Sequence, residues 1–158
     1  LNGLSGHVTV IEGDIADPAL RAGLPAATHG FANPPFWPAG TAPPEALRSA
    51  ATHADATTLG AWTGCLAAAV RHGGSATLVL PAARLADGIT ALAGSGFGSI
   101  AVLPLWPRAG VSAKRVLLSG RRGGRGPSRL LPGLVLHDES GPTPEADAVL
   151  RAGAALAG

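Results

Sequence analysis

Methionine is absent from all 158 residues, and the chain as written opens on Leu1; the expectation drawn from both is a piece of a longer polypeptide. Cysteine occurs once, at Cys65, so an intramolecular disulfide is excluded and no zinc site can rest on thiolates alone. No apolar run approaches the roughly 20 residues that a bilayer-spanning helix needs, and the opening residues do not read as a basic-then-apolar leader. A reducing, cytoplasmic setting is therefore expected. Histidine is scattered over positions 7, 29, 53, 72 and 137, with no pair at helical spacing to clamp a metal. No Gly-x-Ser-x-Gly elbow marks a serine nucleophile. Charged residues make up only 14% of the chain, whereas hydrophobic ones reach 46%, which suits a packed core rather than a solvated tail. The 23 Gly and 14 Pro lack the Gly-X-Y period of collagen, so they punctuate a globular chain with turns.

The few charges that exist are unevenly placed. Residues 88–137 carry Arg108, Lys114, Arg115, Arg121, Arg122, Arg125 and Arg129 and no acid, while acids outnumber bases on either side of that block. The 108–129 segment is a candidate polyanion-binding surface, with RNA as the expected partner. The alternative is a set of arginines on solvated loops.

Short β-branched runs alternate with Ala-rich stretches of helical period. Strands are expected at His7–Ile11, Thr28–Ala32, Ser75–Leu80, Ile100–Leu105 and Arg115–Ser119. Helices are expected at Pro18–Ala22 (capped by Asp17), Glu45–Ala54, Thr57–Arg71, Ala83–Ala93 and Pro144–Leu156, the last capped by Thr143. His72-Gly73-Gly74 reads as the end of the Thr57–Arg71 helix. The alternation predicts an α/β fold with a mostly parallel sheet, and the last two strands, with no helix between them, predict an antiparallel edge.

Asn33-Pro34-Pro35-Phe36 follows directly on an expected strand, where ligands of α/β sheets collect. Asn offers an amide acceptor, two prolines immobilise the carbonyls beside it, and Phe offers a flat face for stacking. The set suits gripping a planar amine. It equally suits a Pro-rich turn with Asn as turn former and Phe in the core.

The tetrapeptide resembles the [Asn/Asp]-Pro-Pro-aromatic motif of S-adenosylmethionine-dependent methyltransferases that modify exocyclic or amide nitrogens. Further stretches resemble one branch of them, the bacterial valine-tRNA (adenine-N6)-methyltransferase family within the small-methyltransferase-domain proteins. These are Arg71-His72-Gly73-Gly74, Gly96–Ile100, Leu103–Arg108, Ala113–Leu117, Leu130–His137 and Thr143–Ala146. The resemblance runs from His7 to Leu156. It implies a Rossmann-like class I methyltransferase sheet, S-adenosyl-L-methionine as cofactor and methylation of the adenine N6 amine of tRNA. By position it implies that Asn33 and the Pro34 carbonyl accept hydrogen bonds from the target amine, with Pro35 fixing the turn and Phe36 stacking on the base. Asp14 and Ile15 would contact the cofactor's adenine, and Asn33 would border the cofactor as well.

Two features of that family have no counterpart here: the Gly-rich loop after its first strand, and the acid that ends its second. The expectation is that residues 1–158 form the C-terminal part of a single methyltransferase domain, with the first two strands missing. Alone, such a part should bind the cofactor weakly and tend to self-associate. Two competing readings stand beside it: a glutamine-amide protein methyltransferase of the same fold, and a non-catalytic RNA-binding remnant. Cys65 is expected buried and inert; Trp37 either extends the stacking platform or packs the loop; Trp106 is expected in the core or as a cap beside Pro107.

Overall fold

A computed structural model describes residues 6–35 and 56–156. The expected helix at 45–54, together with Phe36, Trp37 and His53, lies outside the described residues. The order of elements is α1 (Pro18–Gly23), β1 (Ala27–Ala32), α2 (Ala56–Ala69), β2 (Val70–Pro81), a 3-10 turn (Ala82–Arg84), α3 (Leu85–Gly94), β3 (Phe97–Trp106), β4 (Arg115–Arg122), β5 (Arg129–Leu130), β6 (Leu134–Val135) and α4 (Pro144–Ala152).

The sheet runs β1-β2-β4-β3-β5, with β6 pairing further along β3. β1 and β2 are parallel, as are β3 with β5 and β6, whereas β4 is antiparallel to both its neighbours. The expected mostly parallel α/β sheet with antiparallel pairing is what forms: among the described strands β4 alone runs against the others, between β2 and β3. β4 reverses because only a loop, not a helix, separates it from β3.

Alternation along the strands divides the core in two. Ala76, Leu78, Leu80, Val102, Val116 and Leu118 face α2 and α3, which contribute Leu59, Leu66 and Leu92. Leu78, Leu80, Leu92 and Leu118 have no exposed surface, and burying each such side chain is worth about 1.5–3 kcal/mol. α3 reaches this face closely because Gly88 has no Cβ, leaving room for the Leu80 and Leu118 methyls. On the opposite face Leu103, Leu134 and Ala146 form a second cluster joined by Leu105 and Leu117, so α4 covers only the side near β3 and β6. Thr143 fixes α4 there: its Oγ1 donates to the Val135 carbonyl (2.7 Å) and accepts from the Ala146 N–H (3.2 Å).

Some expectations fail. His7–Ile11 forms no strand; Val8 and Val10 are 61% and 87% exposed, because β propensity without a ladder partner or a face to bury against does not hold a strand. His72-Gly73-Gly74 does not cap a helix, since β2 starts at Val70 directly after α2. Those residues form a bulge: between Ala27 and His29 of β1, β2 advances from Val70 to Ser75. Gly73 absorbs it at φ 77°, and a Cβ on Gly74 would press on the Thr28 carbonyl. Cys65, expected buried, is half-buried. The helix expected to Leu156 stops at Ala152, ended by Gly153 at φ 67°.

Candidate functional site

Asn33, Pro34 and Pro35 leave the carboxyl end of β1, beyond Ala32, which is 4% exposed and pairs with Leu78 of β2. Pro34 is buried against the strand end while Asn33 and Pro35 are exposed. Pro35 restricts the residue before it, so the Pro34 carbonyl has a fixed direction. The Asn33 carboxamide makes no hydrogen bond among the described residues, which leaves its oxygen free to accept from an amine. Such an arrangement can orient a planar –NH2 by drawing its hydrogens toward two oxygens.

Asp14 and Ile15 lie in the turn before α1. Asp14 Oδ1 accepts the Ala16 N–H (2.8 Å), and its backbone carbonyl accepts from the Asp17 N–H (2.9 Å). Asp17 then caps α1 by accepting from Ala19, as its position before Pro18 predicts. Arg21 ties this turn to the helix layer: its Nε donates to the Ile15 carbonyl (2.6 Å) and its Nη2 to the Ala61 carbonyl of α2 (3.0 Å). Sequence reasoning did not single out Arg21; its only signal is a basic side chain in the last turn of an otherwise apolar helix. No hydrogen bond among the described residues joins Asp14 to Asn33.

These residues fit the adenine end and the transfer end of an S-adenosylmethionine-like group only in part. Asp14 keeps one carboxylate oxygen open and Ile15 offers an apolar edge. Among the described residues, however, no Gly-rich turn stands at the carboxyl ends of the strands to cradle a carboxylate. The Gly-rich tract after β4 is at the other end of the sheet.

That placement divides the basic block. Arg108, Lys114 and Arg115 flank the β3–β4 loop, at the same end of the sheet as Asn33. Arg121 pairs with Ser75 and Gly98 at the opposite end, followed by Arg122, Arg125 and Arg129. The tract 123–127 is an ordered loop folded onto β3. The Gly123 N–H donates to the Gly96 carbonyl (2.9 Å) and the Gly126 N–H to Ser99 Oγ (2.9 Å), while Gly124 lies against the Gly98 backbone. Arg122 turns inward, donating to the Gly96 carbonyl (3.2 Å) with its guanidinium 5.7 Å from the Phe97 ring centroid. Trp106 is half-buried and its Nε1 donates to the Pro132 carbonyl (3.0 Å). Asp138, in the turn before α4, accepts from the Ser140 hydroxyl and the Ser140 and Gly141 N–H groups, which holds its carboxyl below the usual range. Among the described residues no three of His, Cys, Asp and Glu converge on a metal position, and no helix is long and apolar enough to cross a membrane.

With this geometry in place, the fold has counterparts among solved structures. One described as a predicted O-methyltransferase from Agrobacterium tumefaciens superposes with a TM-score of 0.62 at 26% identity, over 87% of this chain and 59% of its own. This is a methyltransferase fold. A second, described as a candidate DNA modification methylase from Thermus thermophilus, aligns at a TM-score of 0.46 and 20% identity over 73% of this chain and 55% of its own. The chain thus spans less than two thirds of either. No family model and no curated protein matches it.

Proposed function

We propose that the chain is the amine-gripping part of an S-adenosylmethionine-dependent N-methyltransferase acting on the adenine N6 amine of tRNA. The observation that carries this reading is an unbonded Asn33 carboxamide beside Pro34-Pro35, at the carboxyl end of a strand in a methyltransferase fold. The Asn33 oxygen and the Pro34 carbonyl hold the two amine hydrogens, which orients the nitrogen lone pair along one line. Phe36 is assigned the stacking face for the base. Asp14 and Ile15 are assigned the adenine end of the cofactor, held in place through Arg21. When bound, the cofactor supplies the transferable methyl group. The protein's share is orientation, which converts an encounter into a near-attack geometry.

A grip on hydrogens needs an amine or amide, which is why the reading is N- rather than O-methylation. The RNA substrate rests on the resemblance of the C-terminal half and on seven cations in a stretch without acids. The test uses the complete gene product that contains these residues, given labelled S-adenosylmethionine with unmodified tRNA, a glutamine-bearing peptide or a simple hydroxyl acceptor. Label on adenine N6, lost in Asn33→Ala, is the expected result. Label on the peptide amide supports the protein-methylating alternative, label on the hydroxyl overturns the amine grip, and RNA binding without transfer supports the remnant.

A further inference from the structure

The sheet face that α4 leaves uncovered has an organisation that the amine grip does not use. Register places Thr77, Ser119, Ala101 and Arg129 in one row across β2, β4, β3 and β5. Directly paired residues share a face, so their side chains rise from the same side. One pleat further toward the amino ends of the parallel strands, Ser75 pairs with Arg121 on that same side. The result is a cleft of about 490 Å³ with Ser75, Ser99, Ser119 and Gly126 among its lining and Arg121 and Arg129 on its flanks. Its size falls within the roughly 300–1,000 Å³ range of ligand sites.

The floor is built of small residues, three of them serines, and two arginines flank it. Arg121 and Arg129 are exposed, and neither makes an ion pair among the described residues. Arg122, by contrast, spends its guanidinium on Gly96 and Phe97. The flanking loop is held at Ser99 and packed against Gly98 so closely that Gly124 admits no side chain. Charge is therefore presented on a rigid frame, which lowers the ordering cost of binding an anion. Ser119 adds a hydroxyl suited to a ribose 2′-OH, the group that separates RNA from DNA.

We infer that this cleft binds the phosphate backbone of an RNA strand, with Arg121 and Arg129 each taking a phosphate at the end of the sheet away from Asn33. The inference rests on the RNA reading of the substrate proposed above, and it adds where the strand is held.

The test is fluorescence anisotropy of a labelled single-stranded RNA against the 158-residue chain over a series of salt concentrations, without cofactor. Arg121→Glu with Arg129→Glu should weaken binding at low salt by tenfold or more. It should also reduce the slope of log affinity against log salt by about 1.4, two released counterions at roughly 0.7 each. Arg121→Lys with Arg129→Lys should keep the slope, and Arg151→Glu, on α4, should change nothing. Circular dichroism establishes that each variant is folded. If the glutamate pair is not, Arg121→Gln with Arg129→Gln, which removes both charges without reversing them, should lower the slope by the same two counterions, and a wild-type slope there overturns the cleft. A charge-reversed protein that is folded and binds with wild-type affinity and slope overturns the cleft. DNA of the same sequence bound as tightly as RNA overturns the choice of RNA. Loss of transfer to tRNA in Asn33→Ala with this binding intact bears only on the amine grip, so the two proposals fail separately.

Discussion

Asn33 and Pro34 differ in burial although they are neighbours, and the difference suits the separate roles proposed for them. The buried Pro34 ring anchors the turn, whereas the exposed Asn33 carboxamide is available to a ligand. In the complete gene product, Asn33→Ala should lower the single-turnover rate by about 10²–10³-fold, the usual cost of removing one oriented hydrogen-bonding group at a reacting centre. RNA affinity should stay within a few-fold, and a loss confined to binding would place Asn33 outside the chemical step. Two glycines give a second residue-scale comparison. Gly60, exposed in α2, has nothing within 4 Å of the point a Cβ would occupy, so Gly60→Ala should stabilise the fold by about 0.4–1 kcal/mol. Gly88 is buried in α3 against Leu80 and Leu118. There the same change gains helix propensity of about 1 kcal/mol but overpacks the core at a cost of about 1–3 kcal/mol. Opposite shifts of midpoint in urea unfolding are the expected outcome, and equal shifts would mean that α3 is not seated on the sheet as described.

At the level of elements, Thr143 carries the junction between β6 and α4, because one hydroxyl serves both as cap and as strand contact. Thr143→Ala should cost about 1–2 kcal/mol, and Thr143→Ser should restore most of it. Equal melting temperatures for all three proteins would remove the cap from the account. The caps and most elements were legible in the sequence because their signals are local: Asp17 before Pro18, Thr143 before Pro144, and apolar alternation along Ser75–Leu80. What escaped is non-local. Val8, Val10 and Ile11 have strand chemistry, but a ladder needs a partner that local sequence does not specify. Gly73-Gly74 suits a helix cap and a bulge equally, and only the approach of the Thr28 carbonyl decides between them. β5 and β6, two residues each, are too short to produce a period. The Asn33 turn was visible because two consecutive prolines remove two ladder donors directly after a β-prone run, whereas the single Pro104 is carried within β3. The cleft was not visible, since its arginines are brought to its two sides by cross-strand register.

Across the whole molecule, β1 has no strand on its outer side among the described residues, and Phe31 on it is 62% exposed, as Val8 and Val10 are exposed ahead of it in the chain. An open ladder edge carrying an apolar side chain invites pairing between chains. Sedimentation of the 158-residue chain should therefore depend on concentration, and Phe31→Lys should reduce that dependence; an unchanged profile would locate self-association elsewhere. The reversed direction of β4 has a different consequence. Arg115 and Arg121 lie on the same face of one strand, six residues apart, which is about 20 Å at the rise of a β-strand. β4 is in this sense a ruler with a cation at each mark. At the roughly 3.4 Å that separates phosphates along one strand of a stacked helix, that interval corresponds to about six nucleotides. On the RNA reading proposed above, a nucleic acid shorter than this interval would engage one end of the sheet or the other, and only a longer one would reach both the Asn33 end and the cleft at once.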